Sequence, residues 1–267
     1  SDTWLIEEAK RTGLQVNILP VRHFAIGPAV VALRSFLKEK NIDILHTQAY
    51  RSHLIGRAAV KFSSLSTRIV SSVHGIYQFN TAHPRTKLFY ILDYITMGLS
   101  DSIIAVSEAT KLQLMRWHIT KRVNVVHNGT DIPFIQDNKS RSILRRKMGI
   151  QDHMKVVCFA GRLSPQKGVT NLVRVANDTL NVSPNVMFLV LGDGPLRSIA
   201  HECASRFGNR FRLLGPQQNV ESFLAVSDAL ILPSPMEGLP MILIEAFAYG
   251  LPAVASNVGG DRKSTRL

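Results

Sequence analysis

Short apolar runs rich in β-branched residues alternate along the whole chain with amphipathic helical stretches. This alternation is typical of a parallel β-sheet in which helices join consecutive strands. The runs of the second half are apolar almost without a break, which indicates that helices cover both faces of their sheet. Five strands are predicted in each half, at residues 16–20, 43–47, 68–73, 102–106 and 123–127, and at residues 155–161, 186–192, 211–215, 229–233 and 252–256.

The length of 267 residues suits two domains of this kind. A segment without hydrophobic periodicity, which contains Gly129 and Pro133, separates the two sets of strands and is the best linker candidate. We therefore predict the α/β fold class, with two tandem, doubly wound, Rossmann-like domains. The predicted boundaries are residues 1–130 for the first domain, 131–138 for the linker and 139–260 for the second domain.

Both ends of the chain depart from this pattern. Residues 1–13 have the pattern of a helix with no strand before it, whereas a Rossmann-like domain normally opens with a strand and a glycine-rich turn. Residues 261–267 follow a strand and a turn, and one back-translation of their sequence matches a common sequencing adapter. We therefore expect a first domain without its first strand, an incomplete second domain and an assembly artefact at residues 261–267.

The chain is strongly basic, because 32 Lys and Arg against 19 Asp and Glu give a net charge of +13. Residues 1–130 hold 16 basic and 8 acidic side chains, a net +8, and include a basic amphipathic helix around Ala32–Lys40. Such a surface attracts nucleic acid, anionic lipid headgroups or phosphorylated small molecules. Nucleic acid is disfavoured, since no basic run of five residues occurs and aromatic residues make up only 7%. Peripheral contact with an anionic membrane is one expectation, and a diffusely basic, solvated surface is the alternative.

The composition also bears on the compartment. No run of eighteen apolar residues occurs, so we expect no membrane-spanning helix. The two cysteines, Cys158 and Cys203, exclude a disulfide framework and favour a reducing compartment. We therefore expect a cytoplasmic protein, held peripherally at the inner face of the plasma membrane where its basic surface meets lipid.

The most informative segment spans Pro233–Ser256 and reads PSPMEGLPMILIEAFAYGLPAVAS. Glu237 lies on a loop at the carboxyl end of a strand, where open α/β sheets bind ligands. A helix is predicted to begin around Leu239–Pro240, and the backbone N–H groups at such a start can hold a phosphate. Glu245 lies inside this otherwise apolar helix, where a carboxylate is costly unless it has a polar partner. The two glutamates therefore indicate a binding site rather than a helix cap and a solvated helix residue.

A second candidate site is the run Gly161–Gly168, GRLSPQKG, which follows a buried strand and carries Arg162 and Lys167. A planar guanidinium and a mobile ammonium together suit a diphosphate. Cations at a helix start oppose the helix dipole, so this pair favours an anion site over a solvated surface. The turn with Gly192 and Gly194, GDGP, permits close approach of a ligand to the backbone and is supporting only.

In the first half, His74 and Gly75 follow the predicted strand at residues 68–73. A lone histidine in such a position is more often structural than functional. The other histidines and the cysteines show no spacing typical of a metal site. The sequence contains no nucleophile elbow, Walker A loop or complete G-x-G-x-x-G. These absences disfavour a nicotinamide-dependent enzyme and a P-loop kinase.

Taken together, these motifs resemble the retaining glycosyltransferases of family four, which have the GT-B fold of two Rossmann-like domains facing a central cleft. The resemblance covers residues 1–260 and rests on the E-x7-E pair, the R-x4-K-G run, GDGP, NGTD at residues 128–131 and His74-Gly75. It implies that the second domain binds a nucleotide-diphospho-sugar and that the first domain binds the acceptor. The implied catalytic residues are His74 and Glu237, the implied diphosphate-binding residues are Arg162, Lys167, Gly238 and Leu239, and the implied ribose- or nucleotide-binding residues are Glu245, Gly192 and Gly194.

The resemblance also implies a reaction class. It implies transfer, with retained anomeric configuration, from a UDP-, GDP- or ADP-sugar to a glycan or lipid-linked acceptor in surface polysaccharide or glycolipid biosynthesis. The leaving diphosphate needs stabilisation by a metal or by fixed cations and helix-end amides. Since the sequence offers the cations and no D-x-D motif, we predict transfer without a metal or other cofactor.

Three expectations remain open from the sequence. Because the chain lacks the opening glycine-rich loop of this family and everything after Gly260, we expect it to be inactive in transfer as it stands. One alternative is another GT-B enzyme, such as a nucleotide-sugar epimerase or a phosphorylase. The other is a non-catalytic anion-binding module.

Overall fold

The computed structural model describes residues 3–19, 26–75, 84–119, 123–131 and 138–258. Of the predicted linker, only its first and last residues, Asp131 and Asn138, lie within these ranges. The predicted artefact at residues 261–267 lies outside the described residues.

The first half of the chain forms a sheet with the strand order β1-β2-β3-β4, in which β1 and β2 run parallel. A 3-10 turn, Met97–Leu99, continues directly from the fourth helix. The elements are α1 (Thr3–Arg11), α2 (Ile26–Glu39), β1 (Ile44–Gln48), α3 (Tyr50–Lys61), β2 (Arg68–Val73), α4 (Pro84–Thr96), β3 (Ser102–Ala105), α5 (Glu108–Arg116) and β4 (Val123–Val125).

The predicted strand at residues 16–20 was wrong for the part that the structure describes. Residues 16–19 form no strand, and Ile18 is 69% exposed. A strand is defined by a hydrogen-bonded partner. In the described sheet β1 occupies the edge, and nothing pairs with it on the side away from β2. The other four strands predicted for this half are confirmed.

The second half forms a five-stranded sheet in the order β7-β6-β5-β8-β9, and all neighbouring strands in it run parallel. All five strands predicted here are confirmed. The elements are α6 (Asn138–Lys147), β5 (Lys155–Ala160), α7 (Val169–Val182), β6 (Val186–Leu191), α8 (Arg197–Phe207), β7 (Phe211–Gly215), α9 (Val220–Val226), β8 (Ala229–Leu232), α10 (Met241–Ala248) and β9 (Ala253–Ala255).

Helices cover both faces of this second sheet, as the apolar strands predict. Along β5, the side chains of Val156 and Cys158 belong to one buried core and that of Phe159 to the other. Successive side chains of a strand point to opposite faces, so both faces must be covered for all three to be buried. The predicted doubly wound architecture is therefore confirmed for this half.

The chain divides into two compact units, each with one of the sheets. Short pieces near the carboxyl ends of β2 and β3 group with the second unit, so that His74 and Gly75 belong to it. Among the described residues, the first unit comprises residues 3–19, 26–73, 84–104, 114–119 and 123–124, and the second comprises residues 74–75, 105–113, 125–131 and 138–258.

Within the described ranges, no helix combines the length and the apolar character needed to cross a bilayer.

Candidate active site

The strand order of the second sheet creates a crevice beside its central strand. From β5 the chain proceeds to β6 and β7 on one side, and then crosses back to β8 and β9 on the other side. At such a reversal the loops leaving the two neighbouring strands diverge, and open α/β sheets bind ligands there. The loops that leave β5 and β8 at this point are residues 161–168 and 233–240, which contain the two motifs singled out in the sequence.

An ion pair joins these two loops. The ammonium nitrogen Nζ of Lys167 donates a hydrogen bond to Oε1 of Glu237 over 2.7 Å. Glu237 is buried, and Lys167 is three-quarters buried. An ammonium has three N–H donors, and no other described acceptor bonds Nζ of Lys167. Two donors therefore remain for an anion in the crevice.

Gly168 explains why the two loops meet. It adopts the left-handed conformation, with φ +67°, at the end of the 3-10 turn Pro165–Lys167. A Cβ atom at this position would lie 2.0 Å from the carbonyl oxygen of Pro233, the first residue after β8. Only glycine permits both the backbone angle and this close approach. The loop after β5 therefore packs directly against the loop after β8.

Gly192 and Gly194 pack against the same loop from the other side. A Cβ atom on Gly192 would lie 1.9 Å from the carbonyl oxygen of Gly161, and one on Gly194 would lie 2.5 Å from that of Leu163. The backbone N–H of Leu163 donates to the carbonyl oxygen of Asp193 over 2.9 Å. Loop packing thus accounts for both glycines, and their predicted contact with the nucleotide stays a prediction.

Two helices begin at the crevice without a side-chain cap. The helix α7 starts at Val169 after Gly168, and α10 starts at Met241 after Pro240. The start of α10 lies one residue beyond the predicted Leu239–Pro240. Uncapped backbone N–H groups at a helix N-terminus carry partial positive charge and bind anions.

Residues of the second unit that lie outside its sheet contact the backbone of the loop after β8. A Cβ atom on Gly238 would lie 2.1 Å from the carbonyl oxygen of His74, whose side chain is exposed. The side-chain amide of Asn128 donates to the carbonyl oxygen of Leu239 over 3.2 Å. The structure therefore brings His74 next to the loop that carries Glu237.

Glu245 lies one turn into α10 and is part-buried. Burial raises the pKa of this carboxyl group, and the nearby carboxylate of Glu221 raises it further. Glu221 also accepts a long hydrogen bond, 3.5 Å, from the hydroxyl of Tyr249. Within the described residues, no hydrogen bond connects Glu245 to Lys167 or Glu237, so its predicted role at the ribose stays a prediction.

Arg162 is exposed, and among the described residues it forms no ion pair. The structure leaves its guanidinium in solvent and does not join it to Lys167. Its predicted contact with the diphosphate therefore stays a prediction as well.

The sequence motifs did not single out Ser234. It lies on the loop after β8, between Pro233, which Gly168 contacts, and Glu237. It is buried, and its hydroxyl oxygen has no hydrogen-bond partner among the described residues. An unsatisfied buried hydroxyl is costly, so a ligand or water that reached Ser234 would gain a hydrogen bond there. The only signal in the sequence was its position inside PSPMEG.

Two family models match the chain, and they fall on its two halves. The model described as Glycosyltransferase Family 4 matches residues 6–133, and the model described as Glycosyl transferases group 1 matches residues 140–265. Together they leave little of the chain unmatched.

Curated relatives and solved structures agree with these matches. The chain is 26% identical over 242 residues to the UDP-Gal:alpha-D-GlcNAc-diphosphoundecaprenol alpha-1,3-galactosyltransferase of Escherichia coli, which is 87% of this chain and 62% of that protein. It is also 26% identical to the D-inositol 3-phosphate glycosyltransferase of Corynebacterium glutamicum, and this match covers 93% of this chain and 63% of that protein. The chain thus spans about three fifths of the length of these relatives.

The crystal structure of Anabaena Alr3699/HepE in complex with UDP-glucose superimposes on this chain with a TM-score of 0.83 at 21% identity. The likeness covers 100% of this chain and 74% of that one. At this identity it establishes the fold, and the predicted GT-B fold is confirmed. With one family model on each of its two α/β halves, the chain belongs to the glycosyltransferases of the GT-B fold.

Proposed function

We propose that the crevice between β5 and β8 binds the diphosphate of a nucleotide-sugar donor, whose sugar is transferred to a glycan or lipid-linked acceptor. The observation that carries the proposal is the Lys167–Glu237 ion pair, which lies at the reversal of strand order between two uncapped helix N-termini. A buried carboxylate and a cation with two remaining donors make a site that can hold an anion and a hydroxyl-rich sugar side by side.

Sugar transfer needs the leaving diphosphate stabilised as negative charge develops on it. Lys167 supplies charge-assisted hydrogen bonds, and the N-termini of α7 and α10 supply oriented N–H groups. Arg162, which is exposed and unpaired in the described part of the chain, adds a guanidinium for the same diphosphate when donor binds. With Lys167 and two helix N-termini at the crevice and Arg162 within the same loop, the transfer proceeds without a metal ion or other cofactor.

Glu237 and His74 act at the sugar. Because Glu237 is buried and held by Lys167, its second carboxylate oxygen can accept a hydrogen bond from a hydroxyl of the donor sugar. We assign His74 to the reaction centre, as the resemblance to the family implies, and the nearness of its backbone to Gly238, the residue after Glu237, supports this assignment. Glu245 binds the ribose, where hydroxyl donors satisfy a carboxylate that lacks a hydrogen-bond partner in the described structure. The anomeric configuration is retained, as in the family that the sequence resembles.

UDP is the favoured nucleotide among UDP, GDP and ADP. The Escherichia coli relative uses UDP-Gal by its name, and the Anabaena structure holds UDP-glucose. The same relative acts on a diphosphoundecaprenol-linked sugar, which supports a lipid-linked acceptor in surface polysaccharide biosynthesis. A protein that uses such an acceptor works peripherally at the inner face of the plasma membrane, and the net charge of +13 suits that surface.

Calorimetric titration of the chain with UDP, GDP and ADP tests the donor site. We expect UDP to bind at least tenfold more tightly than GDP or ADP. Equal binding of all three would contradict the assignment of the nucleotide, and the absence of binding by any of them would contradict the donor site itself.

Incubation of the full-length protein with a radiolabelled UDP-sugar and a diphosphoundecaprenol-linked acceptor tests the reaction. Labelled glycolipid is the expected product. Conversion of the donor to another UDP-sugar would instead identify an epimerase, and stoichiometric binding without turnover would identify an anion-binding module.

A further inference from the structure

Helix α4 of the first unit exposes a line of large apolar side chains. Leu88 is 55% exposed, Ile91 36%, Ile95 67%, and Leu99, in the adjoining 3-10 turn, 37%. Their spacing of three, four and four residues places them along one side of the helix. A helix on the surface of a folded unit normally presents its polar side to water, so this exposed stripe calls for a covering partner.

The opposite side of α4 faces the interior of the first unit and carries a carboxylate. The carboxylate of Asp93 is fully buried, with Oδ1 2.5 Å from Nη1 of Arg57 and Oδ2 3.2 Å from Nδ1 of His53. Arg57 and His53, both on α3, are themselves buried. Turning α4 to bury its apolar stripe would pull Asp93 away from two buried basic side chains, which is strongly unfavourable. The Asp93 contacts therefore fix α4 with its apolar stripe outward.

On α4 itself, the described charge beside the stripe is basic. Lys87, next to Leu88, is exposed, and Asp93, the only acidic residue of α4, is buried. An exposed apolar stripe with a lysine at its edge and no exposed carboxylate on the helix is complementary to the interface of an anionic bilayer. A second copy of the chain would bring together two molecules of net charge +13, which repel each other.

The helix predicted to be basic and amphipathic, α2, lacks such a surface. Its Ala29 and Leu37 are buried, and Arg34 donates through Nε to the carbonyl oxygen of Ala59 on α3. The apolar side of α2 is thus used in packing within the first unit. The exposed apolar stripe lies on α4 instead.

We propose that the stripe of Leu88, Ile91, Ile95 and Leu99 is the surface by which the protein docks on an anionic lipid bilayer. The four side chains enter the boundary between headgroups and acyl chains, and Lys87 lies among the anionic headgroups. The inference rests on the proposed peripheral association with the membrane and names the face responsible. Its test uses neither donor nor acceptor, so its failure leaves the proposed transfer reaction untouched.

Co-sedimentation with sucrose-loaded vesicles of phosphatidylcholine and phosphatidylglycerol, and of phosphatidylcholine alone, tests the proposal. We expect binding to the mixed vesicles, and a loss of about tenfold or more in Ile95→Glu and in Leu88→Glu. Val182→Glu is the matched control, because Val182 is 79% exposed at the end of α7 in the second unit and the change in charge is the same. We expect it to bind as the unsubstituted chain does.

Circular dichroism and gel filtration of each variant complete the experiment. All three positions are exposed, so we expect native spectra and unchanged elution volumes. Unchanged vesicle binding by Ile95→Glu and Leu88→Glu, or no binding to mixed vesicles by any form of the chain, would overturn the proposal. A dimer that Ile95→Glu dissociates would also overturn it, because the stripe would then be covered by a second copy.

Discussion

The ammonium group of Lys167 lies 2.7 Å from the carboxylate of Glu237, although the two residues are separated by 70 positions in the sequence. This contact joins the loop after β5 to the loop after β8, at the point where the strand order of the second sheet reverses. Lys167 thereby compensates the buried charge of Glu237, and Glu237 holds the ammonium group at the crevice.

Under the proposed function, Glu237→Gln should separate nucleotide binding from sugar transfer. The amide keeps the size of the side chain but removes the charge that competes for Lys167, so we expect the affinity for UDP to stay equal or rise. Turnover of the UDP-sugar by the full-length protein should fall about tenfold or more, which corresponds to roughly 1.4 kcal/mol of transition-state stabilisation. Calorimetry and a radiolabel transfer assay measure the two effects.

The matched control is Glu202→Gln, on the exposed surface of α8, which should change neither quantity. Loss of UDP affinity in Glu237→Gln would contradict the separation, because it would assign the carboxylate to nucleotide binding rather than to the sugar.

Gly168→Ala should open the contact between the two loops. The substitution forces an alanine into the left-handed region, at about 1–2 kcal/mol, and places its Cβ atom 2.0 Å from the carbonyl oxygen of Pro233, which adds about 1–3 kcal/mol. Urea unfolding measures the loss in the free energy of unfolding. UDP affinity should fall as well, because Lys167 immediately precedes the glycine.

Gly250→Ala provides the control for backbone strain. Its φ of +65° matches the +67° of Gly168, but a Cβ atom there would meet nothing within 4 Å. We expect it to lose only about 1–2 kcal/mol, with UDP affinity unchanged. Equal losses in the two variants would show that the contact with Pro233 carries no energy.

Glu245→Gln should change how stability depends on pH. Burial, and secondarily Glu221, raises the pKa of Glu245 above the 4.5 of an unfolded chain, so the folded state holds this proton more tightly than the unfolded state. The resulting stabilisation is fully present below pH 4.5 and is lost as the pH rises through the raised pKa. The glutamine stays neutral throughout. We therefore compare the free energy of unfolding of Glu245→Gln with that of the unsubstituted chain. The difference in favour of the variant should be larger at pH 7 than at pH 4.

Thermal unfolding of both proteins at pH 4 and pH 7 measures this difference. A stability difference that is the same at both pH values would contradict the raised pKa. The same variant should bind UDP more weakly at pH 7, since it loses the proposed charge-assisted hydrogen bonds to the ribose.

The second sheet could be predicted from the sequence because its strands are apolar on both faces. Val156, Cys158 and Phe159 follow one another closely, and only a doubly covered strand buries such a run. The run at residues 16–20 has a similar local pattern, but whether it pairs depends on a neighbouring strand elsewhere in the fold. Local sequence carries no such information.

The candidate site could be predicted only in its components. The motifs predicted that Lys167 and Glu237 face one crevice, since both follow strands of a parallel sheet. Their ion pair, the unpaired hydroxyl of Ser234 and the packing of Gly168 on Pro233 depend on contacts between segments about 65 or more residues apart. Likewise, the helical spacing of Leu88, Ile91 and Ile95 by itself indicates a buried face. The contacts of Asp93 hold the opposite side of the helix in the interior, so the three apolar side chains are exposed instead.

Isothermal titration of UDP into Lys167→Ala tests the donor site most directly, with Lys155→Ala as its control. Lys155 is an exposed lysine at the opposite end of the same strand, β5, so its loss removes equal charge without touching the crevice. Removal of charge-assisted hydrogen bonds to the diphosphate should cost about 1.5–3 kcal/mol, a loss of about 10- to 100-fold in affinity. We expect that loss in Lys167→Ala and unchanged affinity in Lys155→Ala. Equal UDP affinity in both variants and the unsubstituted chain would contradict the assignment of this crevice as the donor site.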